Sequence, residues 1–261
     1  MNKNHTINFR PRGAIFDVDD TLLDNKPGRP GHGLHEKSRL AAAREAGQRH
    51  NIPHLEQLSI EDNLRAFLTA SEHSIQAAVW NILLMTKQVN RKTIDPHNSL
   101  LREIIARKDE LYEAILRDEG EEVPGATQFI QLLTTQHNPR LAIASMGNRR
   151  NVDFFLRKTN LKDLFPDDRI KTKELVIHAK PHPEAFNLAF DSLQLPESDR
   201  QFVCAFEDDP HGIASARAAG LFTCAIGTRF TPEYLLALET PPHVALATFD
   251  EFIDWFNLDR Q

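Results

Sequence analysis

The stretch GAIFDVDDT, residues 13–21, decides the fold of this chain. Its first four residues are small or apolar and do not alternate with polar ones, which predicts a short strand buried on both faces. The carboxyl groups of Asp17 and Asp19 and the hydroxyl group of Thr21 follow that strand directly. Ligands of open parallel sheets bind beyond the carboxyl ends of the strands. The stretch therefore predicts a buried parallel strand that ends in a polar site.

Further apolar runs along the chain resemble this strand. They are bounded by turn residues, and segments with helical spacing separate most of them. Strands that alternate with helices predict βαβ units and a parallel sheet covered by helices. We therefore predict an α/β fold with a doubly wound parallel sheet. The runs are residues 141–144, 202–205, 221–226 and 243–247.

A long helical interval interrupts this pattern after the first strand. No further strand is expected until about residue 141, and apolar residues recur at helical spacing instead. Ser59 is predicted to cap one helix, and the longest helix is predicted to end near Gly120. The segment 25–33, rich in proline and glycine, is predicted to bend. We predict an all-helical cap domain at residues 25–120, inserted into a core domain of residues 1–24 and 121–261.

Composition excludes several classes of protein. The 261 residues include 31 basic and 37 acidic side chains, which gives a formal net charge of −6. Nucleic-acid backbones are held by basic surfaces, so no nucleic-acid partner is expected. No run approaches the roughly 18 apolar residues of a membrane span, and the chain start has no signal-peptide pattern. Cys204 and Cys224 lie in apolar runs without a metal motif, so we expect a cytoplasmic protein with buried thiols.

Polar residues follow the other predicted strands as well. Ser145 follows the second strand, and Glu207 and Asp208 follow the third. Lys180 stands shortly before a predicted helix. Acidic groups at two strand ends should meet at one edge of the sheet, where they would repel each other. A divalent cation relieves that repulsion, and hard carboxylate oxygens favour Mg²⁺ as the cofactor.

These segments, in this order, resemble the four motifs of the haloacid dehalogenase (HAD) superfamily. Residues 17–21 are similar to its Asp-x-Asp-x-Thr motif, and Ser145 to the hydroxyl residue of the second motif. Lys180, in Lys-Pro-x-Pro, is similar to the third motif, and residues 206–220 to the fourth. The fourth segment and the helical insert resemble the subfamily of β-phosphoglucomutase and sugar phosphatases. The resemblance implies a HAD-like core with a cap domain.

The resemblance also implies roles for the residues of the first and third motifs. Asp17 would attack phosphorus and form an aspartyl-phosphate, and Asp19 would act as general acid and then as general base. Lys180 would pair with Asp17 and with the phosphoryl oxygens. The implied metal ligands are Asp17, Asp19 through its carbonyl group, Glu207 and Asp208.

Other residues are implied to hold the substrate, a small phosphorylated metabolite such as a sugar or polyol phosphate. Thr21 would hold the loop and orient Asp17. Ser145 would donate its hydroxyl group to the phosphoryl group, together with the backbone N–H groups of Met146 and Gly147. His35, near the start of the cap, is a candidate substrate contact.

Four other functions are alternatives to phosphate monoester hydrolysis. Dehalogenation is disfavoured because halide leaves without an acid, and Asp19 is present. Phosphonate cleavage needs a cap lysine, but Lys37 is better read as a solvated helix residue. A β-phosphoglucomutase-like mutase stays open, although Ile60 stands where the mutase has an arginine for the second phosphate. A non-catalytic phospholigand or partner-binding protein also stays open. Asp209 replaces a common serine and is predicted to cap the following helix.

Overall fold

The computed structural model describes residues 10–26, 33–70 and 75–259 and divides into two compact units. The first unit is drawn from Met1–Asp24 and Glu121–Gln261, and the second unit is Asn25–Gly120. Most of the segment that was predicted to bend, residues 27–32, lies outside the described residues. Among the described residues, no helix combines the length and the apolar character needed to cross a membrane.

The first unit contains a six-stranded sheet in the order β5-β4-β1-β6-β7-β8, once its strands are numbered along the chain. Every neighbouring pair in that sheet is parallel, so the predicted parallel α/β sheet is confirmed. The strand bounds are β1 Gly13–Phe16, β2 Leu23–Asp24, β3 Glu121–Glu122, β4 Arg140–Ala144, β5 Ile170–Lys171, β6 Val203–Glu207, β7 Phe222–Ile226 and β8 Val244–Leu246.

The strand β1 lies in the middle of this sheet, as its lack of polar alternation predicted. Gly13 is in register with Arg140 of β4 and with Val203 of β6, so the carboxyl ends of the three strands lie at the same edge. Inside the sheet, the rings of Phe16 and Phe206 stack with centroids 4.6 Å apart. The register brings the residues after all three strands together.

The prediction that no strand occurs between β1 and residue 141 is wrong. Strands β2 and β3 form a two-residue antiparallel ribbon in which Leu23 pairs with Glu122. Strand β5, at the edge of the main sheet, was also missed. Each of these strands has only two residues, which is too short for a periodic pattern to appear in the sequence.

Helices accompany the sheet in the first unit. Helix α8 packs on the sheet through Ala185, Phe186, Ala189 and Phe190, the apolar face that the sequence indicated. Asp209 caps helix α9 by accepting a hydrogen bond from the backbone N–H of His211 at 2.8 Å, as predicted. The helix bounds are α6 Ala126–His137, α7 Arg149–Lys158, α8 Glu184–Ser192, α9 Pro210–Ala218, α10 Pro232–Leu236 and α11 Phe249–Trp255.

The second unit is helical and has its own apolar core. Ser59 caps helix α3 by accepting the backbone N–H of Asp62 at 3.0 Å, and helix α5 ends at Gly120, so both sequence predictions are confirmed. Lysine side chains are usually exposed, but Lys108 in α5 is buried. The helix bounds are α1 Leu34–Arg49, α2 Pro53–Glu56, α3 Ile60–Leu68, α4 Ile75–Met85 and α5 Ser99–Glu119.

Candidate active site

Asp17 and Lys180 form a buried ion pair at the carboxyl end of β1. The backbone N–H of Asp17 donates to Phe206 at 3.0 Å, which extends the β1–β6 ladder by one residue. Lys180 reaches this position from the loop before α8, and its Nζ atom donates to Asp17 Oδ1 at 2.6 Å. The same Nζ atom donates to the carbonyl oxygen of Ala144, at the end of β4, at 2.9 Å. Lys180 thus connects its own loop to the carboxyl ends of β1 and β4.

Two further carboxylates complete a buried acidic cluster. Glu207, the last residue of β6, accepts a third hydrogen bond from Lys180, at 2.5 Å. Asp208 follows it and is 2% exposed. One carboxylate oxygen from each of Asp17, Glu207 and Asp208 lies within 4.8 Å of the others. The acidic residues that the sequence placed at two strand ends are therefore brought together.

Burial raises the pKa values of all three carboxyl groups. The pKa of Asp17 is raised to about 6 by burial, against the opposing effect of Lys180, and the pKa of Glu207 is raised to about 8 in the same way. Burial, Asp20 and Glu207 raise the pKa of Asp208 well above its ordinary value. One ammonium group therefore does not offset three buried carboxylates.

This cluster fits a divalent cation. Its three carboxylates and Lys180 carry a formal charge of −2 when ionised, which a divalent ion would neutralise. Asp208 Oδ2 is buried and has no hydrogen-bond donor among the described residues, which is costly for a carboxylate oxygen. The donor set consists of oxygen atoms only, and hard oxygen ligands favour Mg²⁺. The residues present therefore suit the metal that the sequence predicted.

Thr21 contacts Asp208 of the acidic cluster. Its hydroxyl group is fully buried and donates to Asp208 Oδ1 at 3.1 Å. The resemblance implied that Thr21 orients Asp17 and contacts the substrate; the structure shows Asp208 as its hydrogen-bond partner, and its role towards the substrate stays a prediction. A turn in which Asp20 has φ +60° brings Thr21 back towards the cluster. The hydrogen bond joins residues 187 positions apart, which sequence reasoning could not foresee.

The loop after β4 brings Ser145 and Gly147 next to Asp19. Ser145 Oγ accepts the backbone N–H of Gly147 at 3.0 Å, and Met146 lies between them, half-buried. A Cβ atom on Gly147 would lie 3.2 Å from Ser145 Oγ and 3.3 Å from Asp19 Oδ2. The predicted phosphate-binding loop and the predicted general acid are therefore neighbours in space.

Gly212 is a functional residue that the sequence reading missed. It lies in α9, where a Cβ atom would be 2.1 Å from the carboxylate carbon of Glu207. The absent side chain is the space in which the Glu207 carboxylate sits. The glycine three residues after Asp209 was part of the fourth motif, but no sequence signal gave its packing role.

Arg229 is a second residue that was missed. It lies in the loop after β7, and its guanidinium group donates to Asp209 Oδ2 at 3.1 Å. Its Nε atom is 3.9 Å from Asp208 Oδ2, too far for a hydrogen bond. Although burial alone would lower the pKa of Arg229, Asp208 and the neighbouring acids raise it. Its position three residues after the end of β7 is the signal that the sequence carries for this arginine.

The predicted residues of the helical insert lie in the second unit. The ring of His35 stacks on Tyr112 with centroids 4.3 Å apart and planes 7° apart. Lys37 forms an ion pair with Glu119, which gives it a structural partner and favours the ordinary reading of that lysine. Ile60 is the first residue of α3 and is 45% exposed.

Comparisons with known proteins agree with these motifs. A family model described as haloacid dehalogenase-like hydrolase matches residues 11–220. Fructose-1-phosphate phosphatase YqaB of Escherichia coli is 26% identical over 213 residues, which cover 81% of this chain and 94% of that protein. Glycerol-1-phosphate phosphohydrolase 1 of Saccharomyces cerevisiae is 30% identical over 118 residues, 44% of this chain and 46% of that protein.

The fold also has solved relatives. A putative β-phosphoglucomutase from Thermotoga maritima superposes with a TM-score of 0.67 and 20% sequence identity, and the match covers 94% of this chain and 97% of that chain. At this level of identity the likeness establishes the fold alone.

Proposed function

The chain belongs to the haloacid dehalogenase-like hydrolases, and on that premise we propose that it is a Mg²⁺-dependent phosphatase that forms an aspartyl-phosphate. The observation that carries the proposal is the ion pair of Asp17 with Lys180 beside Glu207 and Asp208. A buried carboxylate at a strand end is suited to attack phosphorus when a lysine holds it and two further carboxylates of the acidic cluster can bind a metal ion beside it.

In the first half of the reaction, a carboxylate oxygen of Asp17 attacks the phosphorus atom and the bond to the leaving oxygen breaks. Asp19, in its acid form, gives its proton to that oxygen, so the product leaves as an alcohol. Lys180 holds the Asp17 carboxylate in place and offers positive charge to the phosphoryl oxygens.

In the second half, water attacks the phosphorus atom of the aspartyl-phosphate. Asp19, now a carboxylate, takes the proton from the water, and the P–O bond to Asp17 breaks. Inorganic phosphate is released and both aspartates return to their starting states. Ser145 and the backbone N–H groups of Met146 and Gly147 are proposed to donate hydrogen bonds to the phosphoryl oxygens throughout.

Mg²⁺ would be held by Asp17, Glu207, Asp208 and the carbonyl group of Asp19, and it would supply charge neutralisation for the nucleophile and the transition state. Thr21 restrains one oxygen of Asp208, and the other oxygen accepts no hydrogen bond from the part of the chain that the structure describes. This arrangement keeps one ligand oxygen available while the side chain is fixed in orientation.

The substrate class is proposed from the relatives. One relative is described as a fructose-1-phosphate phosphatase and another as a glycerol-1-phosphate phosphohydrolase, which favours a sugar or polyol phosphate. We propose that residues 25–120 are a cap domain that selects the leaving group. His35, whose ring is fixed on Tyr112, is the proposed substrate contact within it.

Hydrolysis is favoured over a mutase reaction. A mutase must hold a second phosphate group, and the resemblance places an arginine for that purpose where this chain has Ile60. An exposed isoleucine offers no hydrogen-bond donor to a phosphate, so the observed residue supports a reaction with a single phosphate.

The test is release of phosphate from a panel of sugar and polyol phosphates, with Mg²⁺ or with EDTA. Asp17→Asn should reduce kcat by roughly three orders of magnitude or more, because the nucleophile is lost. Asp199→Asn is the matched control, since Asp199 is a buried aspartate in the short helical turn before β6, where it pairs with Arg12 at 2.9 Å.

The outcomes distinguish a phosphatase, a mutase and a non-catalytic binding protein. Mg²⁺-dependent release that disappears in Asp17→Asn and persists in Asp199→Asn supports the proposal. Conversion of a sugar 1-phosphate to the 6-phosphate, dependent on added bisphosphate, would establish the mutase. Binding of phosphorylated ligands without any turnover would establish a non-catalytic protein and overturn the proposal.

A further inference from the structure

A second group of metal-ligating side chains lies outside the acidic cluster, on the loop that carries Lys180. It consists of His178, His182 and Glu184. One ligand atom from each lies within 4.8 Å of the others. The side chains of both histidines are more than half exposed, so an ion from solution can reach them.

We propose that His178, His182 and Glu184 form a binding site for a borderline transition-metal ion of the Zn²⁺ class. Two imidazole nitrogens and one carboxylate oxygen suit Zn²⁺, whereas Mg²⁺ favours sites made of oxygen atoms alone. The acidic cluster and this group therefore differ in ligand chemistry and should select different metals.

The distances from the Glu184 carboxylate to the two imidazole nitrogens are close to those of a tetrahedral site. Glu184 Oε2 is 2.9 Å from His178 Nδ1 and 3.9 Å from His182 Nδ1. Zinc bonds of about 2.0–2.2 Å at tetrahedral angles place neighbouring ligand atoms about 3.3–3.5 Å apart. The two observed distances bracket that value and each differs from it by about 0.5 Å. Water can supply the fourth ligand because the site is exposed.

The carboxylate of the group is already fixed and ionised. Glu184 Oε1 accepts the backbone N–H of Ile177 at 2.9 Å, and Oε2 accepts the backbone N–H of His178 at 2.8 Å. These hydrogen bonds lower the pKa of Glu184 to about 2. The anionic ligand is therefore available at every pH at which the histidines are neutral.

Metal binding would replace two contacts of the imidazole rings. The metal would take the place of the proton that His178 Nδ1 donates to the Glu184 Oε2 atom, 2.9 Å away. It would also replace the long hydrogen bond, 3.3 Å, from the backbone N–H of Glu184 to His182 Nδ1. That N–H group lies at the exposed start of α8, where water can satisfy it. Neither replacement disturbs the backbone hydrogen bonds that hold Glu184.

Occupation of this site would connect the loop on both sides of Lys180. His178 lies two residues before Lys180, and His182 lies two residues after it. A metal bound to both would close a short loop around the lysine that contacts Asp17 and Glu207. The site is therefore expected to act as a structural staple, which raises the thermal stability of the folded chain.

The experiment is calorimetric titration of the full chain with Zn²⁺ in a buffer that contains excess Mg²⁺, so that the acidic cluster is filled. One Zn²⁺ should bind per chain, and His178→Ala and His182→Ala should each weaken binding at least tenfold. His97→Ala is the matched control, since His97 is an exposed histidine outside the group, and it should leave binding unchanged.

The melting temperature distinguishes binding at this site from binding of Zn²⁺ elsewhere on the surface. Zn²⁺ should raise the melting temperature of the wild type and of His97→Ala, but not of His178→Ala. Equal affinity of the wild type and the two alanine variants would overturn the proposal, and so would an equal loss in His97→Ala. Because both substituted side chains are exposed, the variants should remain folded, which circular dichroism checks.

Discussion

Gly212→Ala is expected to destabilise the chain, although the change would ordinarily stabilise a helix. Gly212 is the third residue of α9, and replacement of a helix-interior glycine by alanine is normally worth about 1 kcal/mol. Here a Cβ atom would lie 2.1 Å from both Cδ and Oε2 of Glu207. Comfortable contact requires about 3.5 Å, so the carboxylate would have to move by more than 1 Å, roughly.

The Glu207 carboxylate cannot make that movement freely. It is 1% exposed, accepts a hydrogen bond from Lys180, and accepts the backbone N–H of Asp208 at 3.3 Å. Overpacking of a filled interior costs about 1–3 kcal/mol, and a lost buried hydrogen bond adds about 1–3 kcal/mol. After subtraction of the helix gain of about 1 kcal/mol, Gly212→Ala should lower the free energy of unfolding by about 3 kcal/mol, within a range of about 1–5 kcal/mol.

A double-mutant cycle with Glu207→Ala tests this explanation. Removal of the carboxylate empties the space, so Gly212→Ala in that background should be neutral or stabilising by up to about 1 kcal/mol. Urea unfolding of the metal-free chain, followed by circular dichroism, measures each step. Ala214→Gly, on the same helix, calibrates the helix term. The reasoning is refuted if Gly212→Ala has the same effect with and without Glu207.

Two predictions concern the metal cluster. Burial raises the pKa of Asp17 to about 6 and that of Glu207 to about 8, above their unfolded values near 4, so the folded metal-free chain binds more protons than the unfolded chain. The melting temperature of the metal-free chain should therefore fall as the pH rises from 5 to 9. Mg²⁺ binds the ionised carboxylates, so it should raise the melting temperature more at pH 8 than at pH 5. An equal Mg²⁺ effect at both pH values would contradict this prediction. Arg229→Gln removes a cation 3.9 Å from Asp208 Oδ2, so calorimetry should show Mg²⁺ binding that is roughly threefold to tenfold tighter, and Asp209→Asn should weaken it. Unchanged affinity in Arg229→Gln would show that the arginine has no electrostatic effect at the cluster.

Much of the fold could be predicted because its signals are local. The buried strand β1 has no polar residue, Ser59 stands at the start of α3, and Gly120 stands at the end of α5. Each signal depends on residues within one or two turns of the chain. The two-residue strands have no such signal, and their existence depends on pairing across the insert, such as Leu23 with Glu122.

The same difference between local signals and long-range contacts applies to the candidate site. The acids at the ends of β1 and β6 were found because parallel strands bring their carboxyl ends to one edge. The contacts that set their properties could not be found, because they join distant parts of the chain through side-chain packing. Thr21 contacts Asp208, Arg229 contacts Asp209, and Gly212 makes space for Glu207. None of these follows from periodicity or from the order of the motifs.

The charge of the cluster implies an order of binding. Asp17, Glu207 and Asp208 with Lys180 carry a formal charge of −2 when ionised, and a phosphate monoester is itself a dianion near neutral pH. Two such charges repel each other strongly at the short distances of a buried site. A divalent cation brings the cluster to neutrality, after which Lys180 and the N–H groups after Ser145 can attract phosphate. Mg²⁺ should therefore bind to the free chain before the substrate, and inorganic phosphate should bind measurably only when Mg²⁺ is present. Because the pKa values of Asp17 and Glu207 are raised to about 6 and about 8, the comparison belongs at pH 9, where both groups are ionised, and equal phosphate affinity with Mg²⁺ and with EDTA at that pH would refute this order of binding.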